Sequence, residues 1–250
     1  MRIAIVSDIH GNRSAFEAVL ADLKQTSPDL IFHGGDLSHG GASPAEIVDR
    51  IRDLGWPGVL GNTDEMLFAP ESLTDFARQS PKLQSLFAAI EEMAVAERAA
   101  LGAERLAWLS ALPRVQIHNP IALVHASPES TWRAPAPEAS DAELESVYAP
   151  LGQPVAVFGH IHRSFIRCIR SIRSVSAVER SEMIVANTGS VSLSYDGDRR
   201  AAYLLVDESK PSIRRVEYDV GKELETLSGR GLPHADWVAR MLESARPQMP

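Results

Sequence analysis

The sequence is poor in the residues that would give it the chemistry of a thiol enzyme, a membrane protein or a nucleic-acid binder. Cysteine occurs once in 250 residues, at Cys168, so no intramolecular disulfide supports the fold and no thiolate cluster binds a metal. On a predicted strand, that lone residue reads as a small buried hydrophobe rather than a nucleophile. No charge-free apolar run approaches the roughly 20 residues of a membrane helix. Near the start only Ile3, Ala4, Ile5 and Val6 separate Arg2 from Ser7-Asp8, too few for a signal-peptide core. The expectation is a cytoplasmic protein that does not engage membranes. Basic residues are outnumbered, with 25 Lys and Arg against 33 Asp and Glu, a formal net charge of −8. Such a chain is unsuited to tracking long nucleic acids or anionic bilayers by charge. The deficit does not argue against a small phosphorylated substrate held by metal ions. Repeats and interdomain linkers are lacking as well, so residues 1–250 read as one domain, large enough to bury a substantial core.

The first third of the chain alternates strand and helix. Residues 2–7 form a β-rich apolar run ending at Asp8-Ile9-His10-Gly11-Asn12. Ser14 can cap a helix with Phe16, Val19, Leu20 and Leu23 at helical period, which Pro28 stops. A second strand over Leu30–Phe32 ends at Gly34-Gly35-Asp36. A helix over 44–54 follows, and a third strand over Pro57–Leu60 ends at Gly61-Asn62-Thr63-Asp64. This order predicts an α/β fold with parallel strands. Residues 72–112, rich in Ala, Leu, Glu and Arg, predict helices; 64–112 could form a cap over a site or an added layer of the core. A hairpin over 115–124, a proline-bearing loop over 127–140, a helix over 141–148 and a strand over 155–158 come next. Stretches 164–169, 183–187, 200–206 and 213–218 predict a second, mostly antiparallel sheet, and 234–245 a terminal helix. The arginines from Arg167 to Arg173, spaced by three, read as a solvated edge.

Five short segments carry the chemistry, and each follows a predicted strand: Asp8-x-His10, Gly35-Asp36, Gly61-Asn62-x-Asp64, His125, and Gly159-His160-x-His162. Sites of α/β sheets assemble beyond the carboxyl ends of strands. Asp8 and His10, like His160 and His162, are two apart, so an extended backbone would aim each pair to one side. Carboxylate, imidazole and amide oxygen without thiolate suit Mn²⁺, Fe²⁺ or Zn²⁺ better than copper or an iron–sulfur cluster. Seven ligands are too many for one ion and about right for two sharing a carboxylate.

These segments in this order, with Asn187-Thr188-Gly189-Ser190-Val191 after them, resemble the calcineurin-like metallophosphoesterase superfamily, in particular its small bacterial phosphodiesterase-like members. The resemblance implies a four-layer sandwich of two mixed β-sheets flanked by helices. It implies that Asp8, His10 and His162 hold one divalent ion, Asn62, His125 and His160 a second, and that Asp36 bridges them. The ions implied are Mn²⁺ first, with Fe²⁺, Zn²⁺ or Ni²⁺ as alternatives. Two divalent ions against two carboxylates leave about +2 at the site, which attracts phosphate despite the chain's net charge. The activity implied is hydrolysis of a small phosphodiester or nucleotide-type phosphoester by attack of a metal-bridging hydroxide, with Asn62 and Asn12 stabilising charge on phosphate oxygens. A scaffold of this fold without activity is the alternative.

One position departs from the family's pattern. Thr63 stands where most members carry a His that serves as general acid or phosphate contact, and threonine cannot replace an imidazolium as proton donor. His39, three residues beyond Asp36, is the candidate replacement. Asp64, relieved of orienting that His, could cap a helix beginning near Glu65. Trp132 and Arg133 could stack on and pair with a nucleotide, or anchor a lid. His33 reads as a packing or supporting residue, and His118 and His234 as structural.

Overall fold

The computed structural model describes residues 1–172 and 180–250; Arg173 lies outside them. Nine strands occur among these residues: β1 (Arg2–Val6), β2 (Leu30–His33), β3 (Val115–His118), β4 (Ile121–Val124), β5 (Val155–Phe158), β6 (Phe165–Ile172), β7 (Arg180–Asn187), β8 (Ala201–Asp207) and β9 (Lys210–Val216). The helices are α1 (Arg13–Thr26), α2 (Pro44–Leu54), α3 (Asn62–Phe68), α4 (Glu71–Arg78), α5 (Gln84–Ser110), α6 (Asp141–Tyr148), α7 (Val220–Gly229) and α8 (Ala235–Ser244).

The strands form two mixed sheets, ordered β2-β1-β8-β9 and β3-β4-β5-β7-β6. Side-chain alternation shows how they stack. In β1, Ile3 and Ile5 face the other sheet, where they join Val155 and Val157 of β5 in one apolar cluster. The intervening Ala4 and Val6 face outward into a second cluster with Phe16 and Val19 of α1 and Ile47 and Ile51 of α2. On the far side Ala156 and Phe158 pack against Leu144 and Tyr148 of α6. Period-two strands buried on both faces therefore give helix, sheet, sheet, helix.

The late strands are divided otherwise than expected: β6 and β7 complete the sheet of β3–β5, whereas β8 and β9 extend the sheet of β1. The expected third strand near 57–60 is reduced to a bridge between His33 and Gly58. The cap of α1 is Asn12, not Ser14, its Oδ1 accepting the Ala15 N–H at 2.9 Å. Cys168 is exposed, its Sγ donating to Glu182 Oε1 at 2.7 Å. Its strand β6 is an edge strand, and alternation gives the buried face to Ile169 instead. The segment 64–112, expected as a cap or an added layer of the core, has contacts of both kinds. Ala94, Leu101 and Leu109 of α5 enter the main core, and Ile90 and Met93 line a cavity at the sheet ends.

His33 packs against Trp108 with ring centroids 6.1 Å apart, and neither ring nitrogen has a protein partner. Burial pushes its imidazole down to about 3. The folded state thus stays neutral where the unfolded chain takes up a proton, so this contribution is full above about pH 6.5 and is lost as pH falls toward 3. His33→Phe should therefore lose less stability than the parent between pH 7 and pH 5, by on the order of 1–2 kcal/mol. Urea unfolding of both proteins at the two pH values measures this; equal losses would contradict it.

Candidate metal centre

The carboxyl ends of β1, β2, β4 and β5 lie along one edge of the sandwich, and the loops leaving them carry six of the seven expected ligands. The seventh, Asn62, opens α3. The backbone there is not extended, as two-residue spacing had suggested. Asp8, His10, Asp36, His160 and His162 have φ of 57°, 48°, 54°, 66° and 55°. Left-handed conformations cost on the order of 1–2 kcal/mol for such residues, so neighbouring chain must hold them. Asp8 N–H donates to the Gly35 carbonyl and His10 N–H to the Asp36 carbonyl, each at 3.0 Å, lacing the first two loops together. Glycine is required where the loops touch: a Cβ on Gly61 would stand 2.1 Å from Asp36 Oδ1, and one on Gly159 2.3 Å from Asp8 Oδ2. The late Asn-x-Gly-Ser-Val segment braces the same place, with Asn187 donating to the Gly159 carbonyl and Ser190 Oγ to the Asp8 carbonyl.

Asp8, His10, Asp36 and His162 form one buried cluster whose ligand atoms all lie within 4.8 Å of one another. His10 Nδ1 bonds the His39 carbonyl at 2.7 Å and His162 Nδ1 the Leu193 carbonyl at 2.6 Å. A carbonyl only accepts, so both Nδ1 atoms carry the proton and both Nε2 atoms present lone pairs. Those two Nε2 atoms are 3.2 Å apart, and His162 Nε2 is 3.1 Å from Asp8 Oδ1. Lone pairs converging at such distances need a proton or a cation among them, which is the arrangement of metal-binding imidazoles held from behind.

The second cluster has the same logic. His125 Nδ1 donates to the Gly34 carbonyl at 2.8 Å, turning Nε2 inward. One terminal amide atom of Asn62 lies 2.9 Å from His125 Nε2, 2.8 Å from His160 Nδ1 and 3.3 Å from Asp36 Oδ2. With its NH₂ turned inward, Asn62 donates to these acceptors; with its oxygen there, it completes a set of cation ligands. Asp36 belongs to both clusters, its Oδ2 being 3.7 Å from His10 Nε2 and 3.4 Å from His125 Nε2. The residues therefore fit a divalent cation at Asp8, His10, Asp36 and His162, and Asp36 also faces the second cluster.

Protonation follows from burial and from these contacts. Burial would raise the Asp36 carboxyl, but His125, His10 and His160 hold it well below the usual carboxylate range. His162 does the same for Asp8 against the same burial. Burial pushes His10 and His160 down to about 4 and so favours the neutral, ligating ring. At His125 burial is overcome by Asp36, which raises the imidazole to about 10. A cation bound there would take the place of that proton.

The remaining expected residues are divided between the site and its support. His39 is buried and lines the cavity over the candidate metal ligands, with Nδ1 2.7 Å from Glu97 Oε2. Thr63 lines it too, its hydroxyl without a protein partner. Asn12 does not reach the cavity; besides capping α1, its Nδ2 faces Ser192 Oγ at 3.2 Å and Tyr218 Oη at 3.4 Å. Both ends of its amide are thus occupied within the fold. Arg133 lies outside the cavity lining, pairs with Gln79 and stands 5.5 Å over the Phe76 ring. Asp64 is the third residue of α3 rather than the cap of a helix starting at Glu65; its carboxylate accepts the N–H of Gly61, the residue before α3, as in a capping box, and also the N–H groups of Asp36 and Leu37. His118 packs on Phe32, and His234 bonds Glu92.

Sequence reasoning passes over Glu97 and Tyr195. Glu97 falls on the apolar stripe of α5, three and four residues from Ala94 and Leu101, where an acid is out of place. Tyr195 stacks on His162 with centroids 4.6 Å apart and donates its hydroxyl to Met241 Sδ.

Residues 1–210 match the family model described as calcineurin-like phosphoesterase superfamily domain. The uncharacterized protein MJ0912 of Methanocaldococcus jannaschii is 31% identical over 252 aligned positions, covering 96% of each chain. A crystal structure of a metallophosphoesterase from Sphaerobacter thermophilus superposes with a TM-score of 0.76 at 26% identity, covering 98% of this chain and 100% of that one. Over 68 residues, 26% of this chain and 25% of the relative, there is 43% identity to a Synechococcus protein named a probable cyclic nucleotide phosphodiesterase.

Proposed function

The chain belongs to the calcineurin-like phosphoesterase superfamily, and from that premise we propose that it is a dinuclear metal-dependent hydrolase of small phosphodiesters or nucleotide-type phosphoesters. The observation carrying this reading is the double cluster of inward lone pairs joined by Asp36 Oδ2. When bound, two divalent ions, Mn²⁺ first among them, supply Lewis acidity that lowers the pKa of water and draws charge from phosphoryl oxygens. The chain's residues do the rest. Carbonyls behind His10, His125 and His162 fix the rings, Asp64 fixes the loop of Asp36, and Asn62 offers its amide at the phosphoryl side. His39, oriented by Glu97, is the residue we assign to pass a proton from Nε2 to the leaving oxygen.

Diesters with good leaving groups come first as substrates, because Thr63 removes the usual acid and such esters need it least. No described helix is long and apolar enough to cross a membrane, and we place the activity in the cytoplasm. The test is hydrolysis of bis-p-nitrophenyl phosphate and p-nitrophenyl phosphate by purified protein with Mn²⁺. The diester should turn over faster, and EDTA should remove at least 90% of the rate, on the order of the tenfold or greater loss expected when ligands go unfilled. Absence of metal-dependent turnover of either ester would leave a scaffold of this fold.

A further inference from the structure

The cavity above the metal ligands has a volume of about 150 Å³ and two unlike halves. Its floor is polar, made by His10, Asp36, Asn62, His160 and His162. Its walls are Ile90 and Met93 of α5, Leu193 of the loop after β7, and Trp237, Val238 and Met241 of α8. Spacings of three and four put the α8 residues on one helical face, which packs with Ala89, Met93 and Leu193 in a separate apolar cluster. The polar atoms nearest these walls are already committed: Trp237 Nε1 donates to the Gln248 carbonyl at 2.8 Å, and the Tyr195 hydroxyl to Met241 Sδ. No lysine or arginine lines the cavity among the described residues.

We propose that this site takes a single phosphoryl group carrying a compact apolar ester substituent, which α5 and α8 hold through Ile90, Met93, Trp237, Val238 and Met241. The inference rests on the phosphoesterase reading for the phosphoryl half and on the walls for the other half. A phosphoryl group meets the ligand floor, and whatever it carries must pass between two apolar helix faces. A polyol or sugar against the α5 and α8 side chains would lose water without gaining hydrogen-bond partners there, since the cavity's remaining polar groups, the Thr63 hydroxyl and the His39 ring, belong to the segments that carry Asn62 and Asp36. A second phosphate would find no side-chain cation. About 150 Å³ is roughly the room of one benzene-sized group beside the ligand floor.

Calorimetric titration of the full chain, loaded with Mn²⁺, tests this with two non-hydrolysable ligands of similar size, 2-methylpropylphosphonate and 2,3-dihydroxypropylphosphonate. The apolar ligand should bind more tightly by about tenfold or more, the scale of burying a few methyl and methylene groups. Met241→Gln should narrow that ratio to about threefold or less. Val238→Thr, which keeps the side-chain shape and exchanges one methyl for a hydroxyl, should narrow it as well, in a protein that melts lower but is folded at the titration temperature. Equal affinities, a preference for the diol, binding of neither ligand, or a ratio unmoved in both folded variants would overturn the proposal. Failure of the enzymatic reading is separate. Protein that binds with this preference but hydrolyses neither chromogenic ester retains the pocket and is not a phosphoesterase.

Discussion

Asp36→Asn should lower metal-dependent hydrolysis by on the order of 10³-fold while leaving the metal-free fold intact. The two oxygens of Asp36 have separate duties. Oδ1 accepts the Thr63 N–H at 2.9 Å, and an asparagine oxygen can keep that bond. Oδ2 is the atom between the clusters, and an asparagine puts an NH₂ group there. A donor facing His10 Nε2, His125 Nε2 and Asn62 can pair with lone pairs but cannot bridge two cations. The substitution also removes one charge from a buried set in which Asp64 is raised to about 7 by burial and then by Asp36. The variant in EDTA should accordingly melt within a few degrees of the parent. The rise in melting temperature on adding Mn²⁺, which scales with metal affinity, should shrink strongly. Turnover of bis-p-nitrophenyl phosphate and melting with and without Mn²⁺ check both halves. Parent-like turnover would remove Asp36 from the bridging position.

The candidate ligand types stood out in sequence because most sit just past an apolar strand and His10, Asp36, Asn62 and His160 are next to glycine, in an order that resembles the family's. Layering was legible in outline, since Ile3 and Ile5 alternate with Ala4 and Val6 as a strand covered on both faces requires. The ligand backbone was not legible. Left-handed turns at Asp8, His10, Asp36, His160 and His162 are imposed by bonds between loops far apart in sequence, which local spacing does not report. Strand partition escapes the sequence for a related reason: β8 joins the first sheet by pairing with β1, and the β6–β7 pair joins the second through β5, so each placement depends on a strand distant in the chain. Asn12 reads as a phosphate contact because it follows the ligand loop, but the same position begins α1, and the helix end takes its oxygen. The cavity walls are hidden in plain amphipathic patterns. Ile90 and Met93 on α5, like Trp237 and Met241 on α8, are indistinguishable in sequence from residues that only fill a core.

In sequence Asp64 is a residue without its usual partner, and the structure gives it three. It is fully buried, and its carboxylate accepts the Asp36 N–H at 2.8 Å, the Leu37 N–H at 2.9 Å and the Gly61 N–H at 3.2 Å. These donors belong to two loops that between them supply Asp36 and Asn62. Asp64→Ala should therefore destabilise the metal-free protein far more than Asp36→Asn does. Each buried N–H left without an acceptor costs roughly 1–3 kcal/mol, while relief of repulsion with Asp36 offsets part of the sum. A net loss of about 3–5 kcal/mol corresponds, in a chain of this size, to melting on the order of 10 °C lower. Asp64→Asn should fall between parent and Ala. Its oxygen can serve the Asp36 and Gly61 donors that share Oδ2, but its NH₂ then faces the Leu37 N–H. Metal affinity should fall about 10–100-fold in the Ala variant, since the carboxylate that aligns both ligand loops is gone. Melting in EDTA and calorimetric titration with Mn²⁺ separate the two effects. A variant that melts within a degree of the parent would show that the loops hold their shape without Asp64. One that melts lower but binds Mn²⁺ undiminished would mean that the cations themselves set the ligand geometry, leaving Asp64 a role in folding alone.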